Sequence, residues 1–434
     1  MTSERTDGVW SRRQFVKASA AAPIAGALAS PIWAFAGGSD RIKVGLIGCG
    51  GRGTGAAVQA LRADPGNVLW AVGDAFADHL ETGLGNIRKA MAGNDTEQIN
   101  VPPDRRFVGL EAFQRVIEQT DVVILTTPPA FRPEHLAAAV GAGRHVFCEK
   151  PVAVDGPGIR SVLESVGIAA QKNLSLMSGF CWRHHDQVRS AFDQIRQGAI
   201  GSVRAVHSTY NTTGWVEPTR RAPGWSDTEW QVRDWHYFHP LSGDHIVEQA
   251  VHAIDWITWA LGGATPTRCT AVGGRMTRPD TPETGNVYDN FAVTYEFEDG
   301  SRGFHMCRHW PNTPADNTGY VIGESGTLRL EPWTGRHVIN GDNPWQCTLP
   351  RNDMYQREHD ELFAAIRSGN RFDDGRQMAH TTLMAIMGRM AAYTGQVVTW
   401  DQALNSKENL NPDPWTWGDR PAPELAVPGR TKLI

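Results

Sequence analysis

Ile42–Ile47 is an unbroken apolar run that feeds directly into Gly48-Cys49-Gly50-Gly51-Arg52-Gly53, and an amphipathic stretch follows to residue 63. A buried strand that turns into a helix on three spaced glycines is the opening of a βαβ unit. Gly48 permits the tight turn, and Gly50 lets the main chain approach a pyrophosphate. Gly53 lets helix and strand pack closely, which aims the free N–H groups of the helix start at the phosphates. Gly51 and Arg52 complete the loop. Asp74 follows Gly53 by 21 residues and ends the next apolar run. A carboxylate there accepts hydrogen bonds from an adenosine ribose and repels a 2′-phosphate, so the cofactor is expected to be NAD rather than NADP.

The alternation continues. Strands are expected at 68–72, 122–126, 145–148 and 174–178, separated by helices at 75–91, 110–119, 133–142 and 157–172. That order means a parallel sheet covered by helices. Beyond Val203 the period changes to two, with longer strands at 204–213, 268–276, 290–297 and 301–309, and Glu298-Asp299-Gly300 turning the last pair. One helix over 243–261 interrupts them, and two more follow at 355–368 and 375–394. The expected fold is an α/β Rossmann domain (37–160) plus an α+β domain (161–434) on a mainly antiparallel sheet. Residues 161–180 and the C-terminal segment are candidates to pack on the first domain. An active site belongs between the two.

Two further segments end strands on the edge where open α/β sheets bind ligands: Thr126-Thr127-Pro128-Pro129 and Glu149-Lys150-Pro151. Thr127 and Pro128 are placed beside the nicotinamide half of the cofactor, and Glu149 beside them. Together with the glycine turn, His135, Gly198-Ala199-Ile200-Gly201 and the closing Thr394-Gly395…Val398-Thr399-Trp400, these motifs make the chain resemble the Gfo/Idh/MocA oxidoreductases over nearly its whole length. The resemblance implies an open second sheet that forms homo-oligomer contacts, and oxidation of a sugar or cyclitol hydroxyl. It assigns Lys150 to both the reacting hydroxyl and the cofactor region. It also assigns a proton acceptor to the stretch Gly243…Asp255, where His252 fills that role. Imidazole titrates near neutrality and can take the hydroxyl proton as hydride leaves. Glu248, four residues earlier, is expected on the same helical face, orienting His252 or binding a neighbouring hydroxyl; the family usually has Asp there. Asp255, Arg183, His184, Tyr237 and His239 are expected to contact substrate. The histidines around 235–245 match no standard zinc spacing, so no metal is expected.

Ser11-Arg12-Arg13-Gln14-Phe15-Val16-Lys17 is a twin-arginine signature, followed by an uncharged Ala/Gly-rich stretch and the small-x-small site Ala34-Phe35-Ala36. Residues 1–36 read as a cleaved export signal. The twin-arginine machinery is then a partner, the destination is the periplasm, and no permanent span is expected. The net charge of -5 excludes a basic nucleic-acid face. The 6 cysteines have no paired spacing, and of the 16 Trp many fall between Trp215 and Trp345, which suits a carbohydrate pocket. Export removes the chain from any exchangeable NAD pool, so the cofactor must be tightly retained and reset each cycle. Either a net sugar oxidoreductase or a redox-neutral glycosidase or epimerase-like enzyme satisfies this. A non-catalytic sugar-binding protein on the same fold is the alternative from another class.

Overall fold

The computed structural model describes residues 41–93, 96–214, 217–411 and 414–434; the expected signal, residues 1–36, and Trp215 lie outside the described residues. The first domain holds β1 (Ile42–Ile47), β2 (Asn67–Asp74), β3 (Arg106–Val108), β4 (Val122–Leu125), β5 (His145–Cys148) and β6 (Leu176–Ser178). They form one parallel sheet in the order β3-β2-β1-β4-β5-β6. The order reverses between β1 and β4, and a ligand crevice opens at such a switch point. The crossovers are α1 (Gly51–Ala63), α2 (Ala77–Ala90), α3 (Ala112–Glu118), α4 (Arg132–Gly141) and α5 (Gly156–Gln171). β1, β2 and β4 read as continuous apolar runs because helices cover both faces of the sheet. The edge strand β3 is three residues long and only partly buried, too short to show a period. β6 pairs with β5 and α5 leads into it, so residues 161–178 lie with the parallel sheet.

The second part begins with α6 (Asp186–Arg196) and β7 (Val203–Thr212), then α7 (Asp227–Arg233), α8 (His239–Ser242), α9 (His245–Glu248) and α10 (Val251–Ala260). It continues through β8 (Arg268–Gly274), β9 (Asn290–Glu296), β10 (Arg302–His309), β11 (Gly319–Gly323), β12 (Gly326–Leu330), β13 (Val338–Gly341) and β14 (Trp345–Gln346). α11 (Met354–Ser368), α12 (Gly375–Thr394), β15 (Val398–Thr399) and α13 (Trp400–Leu404) close it. The nine strands lie in the order β14-β13-β12-β11-β7-β10-β9-β8-β15. β7 and β10 run parallel, and every other neighbouring pair is antiparallel.

One face of this sheet is covered by α10 and α12; α12, wedged between β8 and α5, is buried on almost every side. The other face is open and leaves Val272, Phe304, Met306 and Ile322 exposed. α11 returns to the first domain, where Leu362, Phe363 and Ile366 join the core beneath α1. The two sheets therefore share their hydrophobic packing. Among the described residues no helix is long and apolar enough to cross a membrane.

Burial keeps many imidazoles neutral. His135, His239 and His305 are pushed down to about 3, and His337 to about 4, desolvation being the largest cause in each. A histidine whose folded pKa lies below its unfolded value of about 6.5 contributes stability that is present above that pH and lost as pH falls toward the folded value. Unfolding by urea should therefore become easier from pH 7 to pH 5.5. Each such histidine contributes up to about 1.4 kcal/mol per pH unit once below pH 6.5. Equal midpoints and slopes at the two pH values would contradict this account.

Candidate functional site

The glycine turn is built as its spacing requires. Gly48 sits at φ +95 and its N–H donates to Gly73 O at 2.8 Å, closing the turn against β2. A Cβ on Gly53 would lie 1.9 Å from Gly48 O, so nothing larger than hydrogen fits where helix and strand cross. A Cβ on Gly50 or Gly51 would meet no atom within 4 Å, so the main chain there is open to an approaching ligand. Asp74 Oδ2 accepts from Cys49 N at 2.6 Å and Oδ1 from Phe76 N at 2.9 Å. This pins the carboxylate beside the turn, with lone pairs left to accept hydroxyls. Gly48, Gly50, Asp74, Thr127 and Pro128 line one cavity, with Phe76 and Phe131 as apolar walls. An open turn at a helix start, a pinned carboxylate and apolar walls fit a dinucleotide.

Arg52 and Glu149 correct their expected role. Arg52 Nε bonds the Glu149 carboxylate, NH2 bonds Glu358 at 2.7 Å, and the guanidinium stacks on Tyr355. Glu149 Oε2 also accepts from Lys150 N at 3.1 Å, and a Cβ on Gly179 would strike its carboxylate. Neither side chain lines the dinucleotide cavity. They form a partly buried ionic cluster behind it that fixes the turn carrying Lys150.

The helix expected over 243–261 is broken after Glu248. Ala250 N reaches back five residues to His245 O at 3.0 Å, and His252 N bonds Gln249 O at 3.4 Å instead of Glu248 O. Such a widened turn frees a carbonyl, and π-type bulges of this kind occur often at functional sites. The freed Glu248 O accepts Lys150 Nζ at 2.5 Å. Burial holds the Lys150 ammonium below the usual lysine range, opposed by the Glu248 and Glu149 carboxylates. Burial, then the charges of Lys150 and Arg52, holds His252 well below its ordinary value. His252 is thus a neutral imidazole near Lys150, and its buried Nδ1 has no hydrogen-bond partner among the described residues. Burial pushes the Glu248 carboxyl up to about 7 against the pull of Lys150.

A second cavity lies next to these groups, lined by His236, Tyr237, His245, Glu248, Arg278 and His309 among others. Trp235 lines the dinucleotide cavity while His236, stacked on it at 3.6 Å, lines this one. Tyr237 lines this second cavity, and the other residues expected at the substrate do not. Arg183 and Asp255 pair with each other at 2.8 and 2.9 Å, Asp255 also accepting from Gln377 and Thr381, and Arg183 lines a different cavity beside Trp259. His184 is held by Glu361 at 2.8 Å, and His239 packs edge-on against Tyr393, lining neither cavity. Arg278 and His309 were missed because they reach the site from the end of β8 and from β10, with no local motif to announce them.

Residues 42–180 match the oxidoreductase family described as NAD-binding Rossmann fold, and residues 188–329 match the GFO/IDH/MocA C-terminal domain. Inositol 2-dehydrogenase 3 of Saccharopolyspora erythraea is 24% identical over 75% of this chain and 83% of its own length. The 2,7-anhydro-N-acetylneuraminate hydratase of Escherichia coli is 23% identical over 54% of this chain and 58% of its own. Several curated relatives are matched over only about half their length. A levoglucosan dehydrogenase solved with NADH and levoglucosan shares the fold, with a TM-score of 0.66, 19% identity, and coverage of 83% of this chain and 99% of that one.

Gly53→Ala should empty the cradle. The added methyl meets main chain rather than a flexible side chain, so a loss of about 1–3 kcal/mol in stability is expected together with loss of bound dinucleotide. Thermal melts and dinucleotide content of the purified variant check both, and a fully loaded variant would contradict the packing argument.

Proposed function

Because the chain belongs to the Gfo/Idh/MocA oxidoreductase family, we propose that it oxidises a secondary hydroxyl of a sugar, glycoside or cyclitol using an NAD it does not release. NAD, when bound, supplies the hydride acceptor. The observation that carries the reading is a half-buried ammonium, Lys150, held on the main chain of Glu248, a residue of the second cavity's wall, with the neutral imidazole His252 in its field. His252 takes the hydroxyl proton, which a neutral imidazole can do and an imidazolium cannot. Lys150 Nζ, steadied by Glu248 O, holds the charge that develops on that oxygen. His236, Tyr237, Gln249 and Arg278 line the space for the remaining hydroxyls. The inositol, levoglucosan and anhydro-sugar names of the relatives agree with such a substrate.

Retention follows from the proposed twin-arginine export to the periplasm. At an association rate of about 10⁶ M⁻¹s⁻¹, even a nanomolar site empties in roughly ten minutes. Aromatic packing of two tryptophans against the walls of the cavity, which they do not themselves line, supports slower release. Trp417 packs on Phe76 at 5.5 Å and Trp415 on Phe131 at 4.7 Å. Arg233 stacks over Phe76 at 3.8 Å while bonding Asp78 at 3.0 Å. A retained cofactor favours a closed cycle, in which a second sugar or the oxidised substrate itself returns the hydride. The redox-neutral version is the second reading, and the hydratase relative speaks for it. The open, partly apolar face of the nine-stranded sheet suits a homo-oligomer.

Denaturing the purified mature protein should release about one NAD(H) per chain, whereas Trp417→Ala should lose it during prolonged dialysis. A wild-type protein that comes off the column empty would defeat the retention claim. His252→Ala should keep its dinucleotide and lose about 10²–10⁴ in kcat across a sugar panel. Undiminished kcat would remove His252 from the mechanism.

A further inference from the structure

We propose that His245, Glu248 and His309 bind a divalent cation beside Lys150, leaving one coordination position open toward the substrate cavity. One ring nitrogen from each histidine and one carboxylate oxygen of Glu248 all lie within 4.8 Å of one another, and all three residues are buried. Two imidazole nitrogens and a carboxylate oxygen are the donor set of zinc-like ions, and three protein ligands with a vacant fourth position is the pattern of sites that act on substrate rather than build structure. Bonds of about 2.0–2.2 Å require only modest side-chain rotation from this spacing.

An independent observation points to a ligand. His245 is 2% exposed, yet neither ring nitrogen makes a well-formed hydrogen bond among the described residues, the Tyr210 main chain being its one weak contact. Buried polar groups are nearly always paired, so a buried histidine with so little to bind, at the wall of a polar cavity, has at least one nitrogen free for a ligand. Its ring lies against that of His309, with centroids 3.6 Å apart.

The surroundings hold the donors in place. Asp244, at φ +75, caps the turn; its carboxylate accepts from His245 N at 2.5 Å, Tyr288 N at 2.7 Å and Tyr393 Oη at 2.5 Å. His245 and Glu248 are three residues apart on the single turn of α9, so both face the same side. His309 arrives at the end of β10, with Nε2 2.5 Å from Gln249 Oε1 and Nδ1 3.4 Å from an Arg278 nitrogen. Binding takes one of those nitrogens from its present partner and leaves Gln249 Oε1 close by as a further oxygen donor. The cavity of about 100 Å³ that these residues line has room for a water or a hydroxyl on the vacant position. No metal was expected because the histidines around 235–245 match no standard zinc spacing; His309 follows His245 by 64 residues.

The cation's service to a substrate oxygen rests on the proposed function, while the site itself does not. Metal content of the purified mature protein, followed by chelation and titration with Co²⁺ monitored by its visible d–d bands, tests the site directly. About one cation per chain is expected. Glu248→Gln and His309→Gln should each weaken binding roughly 100-fold or more while thermal melts stay close to wild type. Crystals of wild-type protein soaked in Co²⁺ should show anomalous density between the three residues, a result that needs no variant to fold. NAD content is measured on the same samples. Full NAD with no Co²⁺ bound at millimolar concentration, binding unaltered in both variants, or anomalous density elsewhere would each overturn the cation site and leave the dehydrogenase reading standing. A bound cation in a chain that never holds NAD would leave the site and sink that reading.

Discussion

The hydrogen bond from Lys150 Nζ to Glu248 O joins the end of the parallel sheet to the helical segment that opens the second domain's core. Each side of it is a local exception. On one side a lysine leaves the carboxyl end of β5 and is half-buried, which costs free energy unless its charge is met. On the other a helix gives up regular geometry at Gln249 and Ala250, which exposes a carbonyl to meet it. Without the break, that oxygen would be spent on His252 N and the ammonium would face an apolar helix.

The same break aims the imidazole. Directly behind the lysine, Arg52 is clamped between Glu149 and Glu358, so the glycine turn and the Glu-Lys-Pro turn are braced by one partly buried ionic cluster. Burial keeps His252 unprotonated, and the positive charges of Lys150 and Arg52 add to that effect. Removing one partner from a partly buried cluster of this kind leaves an uncompensated charge, so these carboxylates position the site without touching a reactant.

What could be read from the chain alone was whatever is written locally. The strand-turn-helix of Gly48 to Gly53, the carboxylate at the end of β2, and the Lys150 turn are set by a few consecutive residues, and all were legible. β7 to β10 showed their period because one face is buried and the other open. What was lost depends on partners distant in sequence. Arg183 and Asp255 looked like substrate ligands until the fold joined them. Arg52 looked like part of the cofactor loop until Glu358, 306 residues away, claimed it. β3 and the short strands after β10 carry too few residues for a period to emerge. The helix break left no Gly or Pro as a marker; Val247-Glu248-Gln249-Ala250-Val251 reads as ordinary helix.

The account stands on the Lys150 ammonium acting at the reacting oxygen. The direct measurement is stopped-flow absorbance of the bound dinucleotide after mixing with an oxidisable sugar, comparing wild type with Lys150→Met in one turnover. The variant should carry its full dinucleotide and reduce it about 10²–10⁴ times more slowly. Reduction at the wild-type rate would contradict the account, since the bridge between the domains would then be structural only.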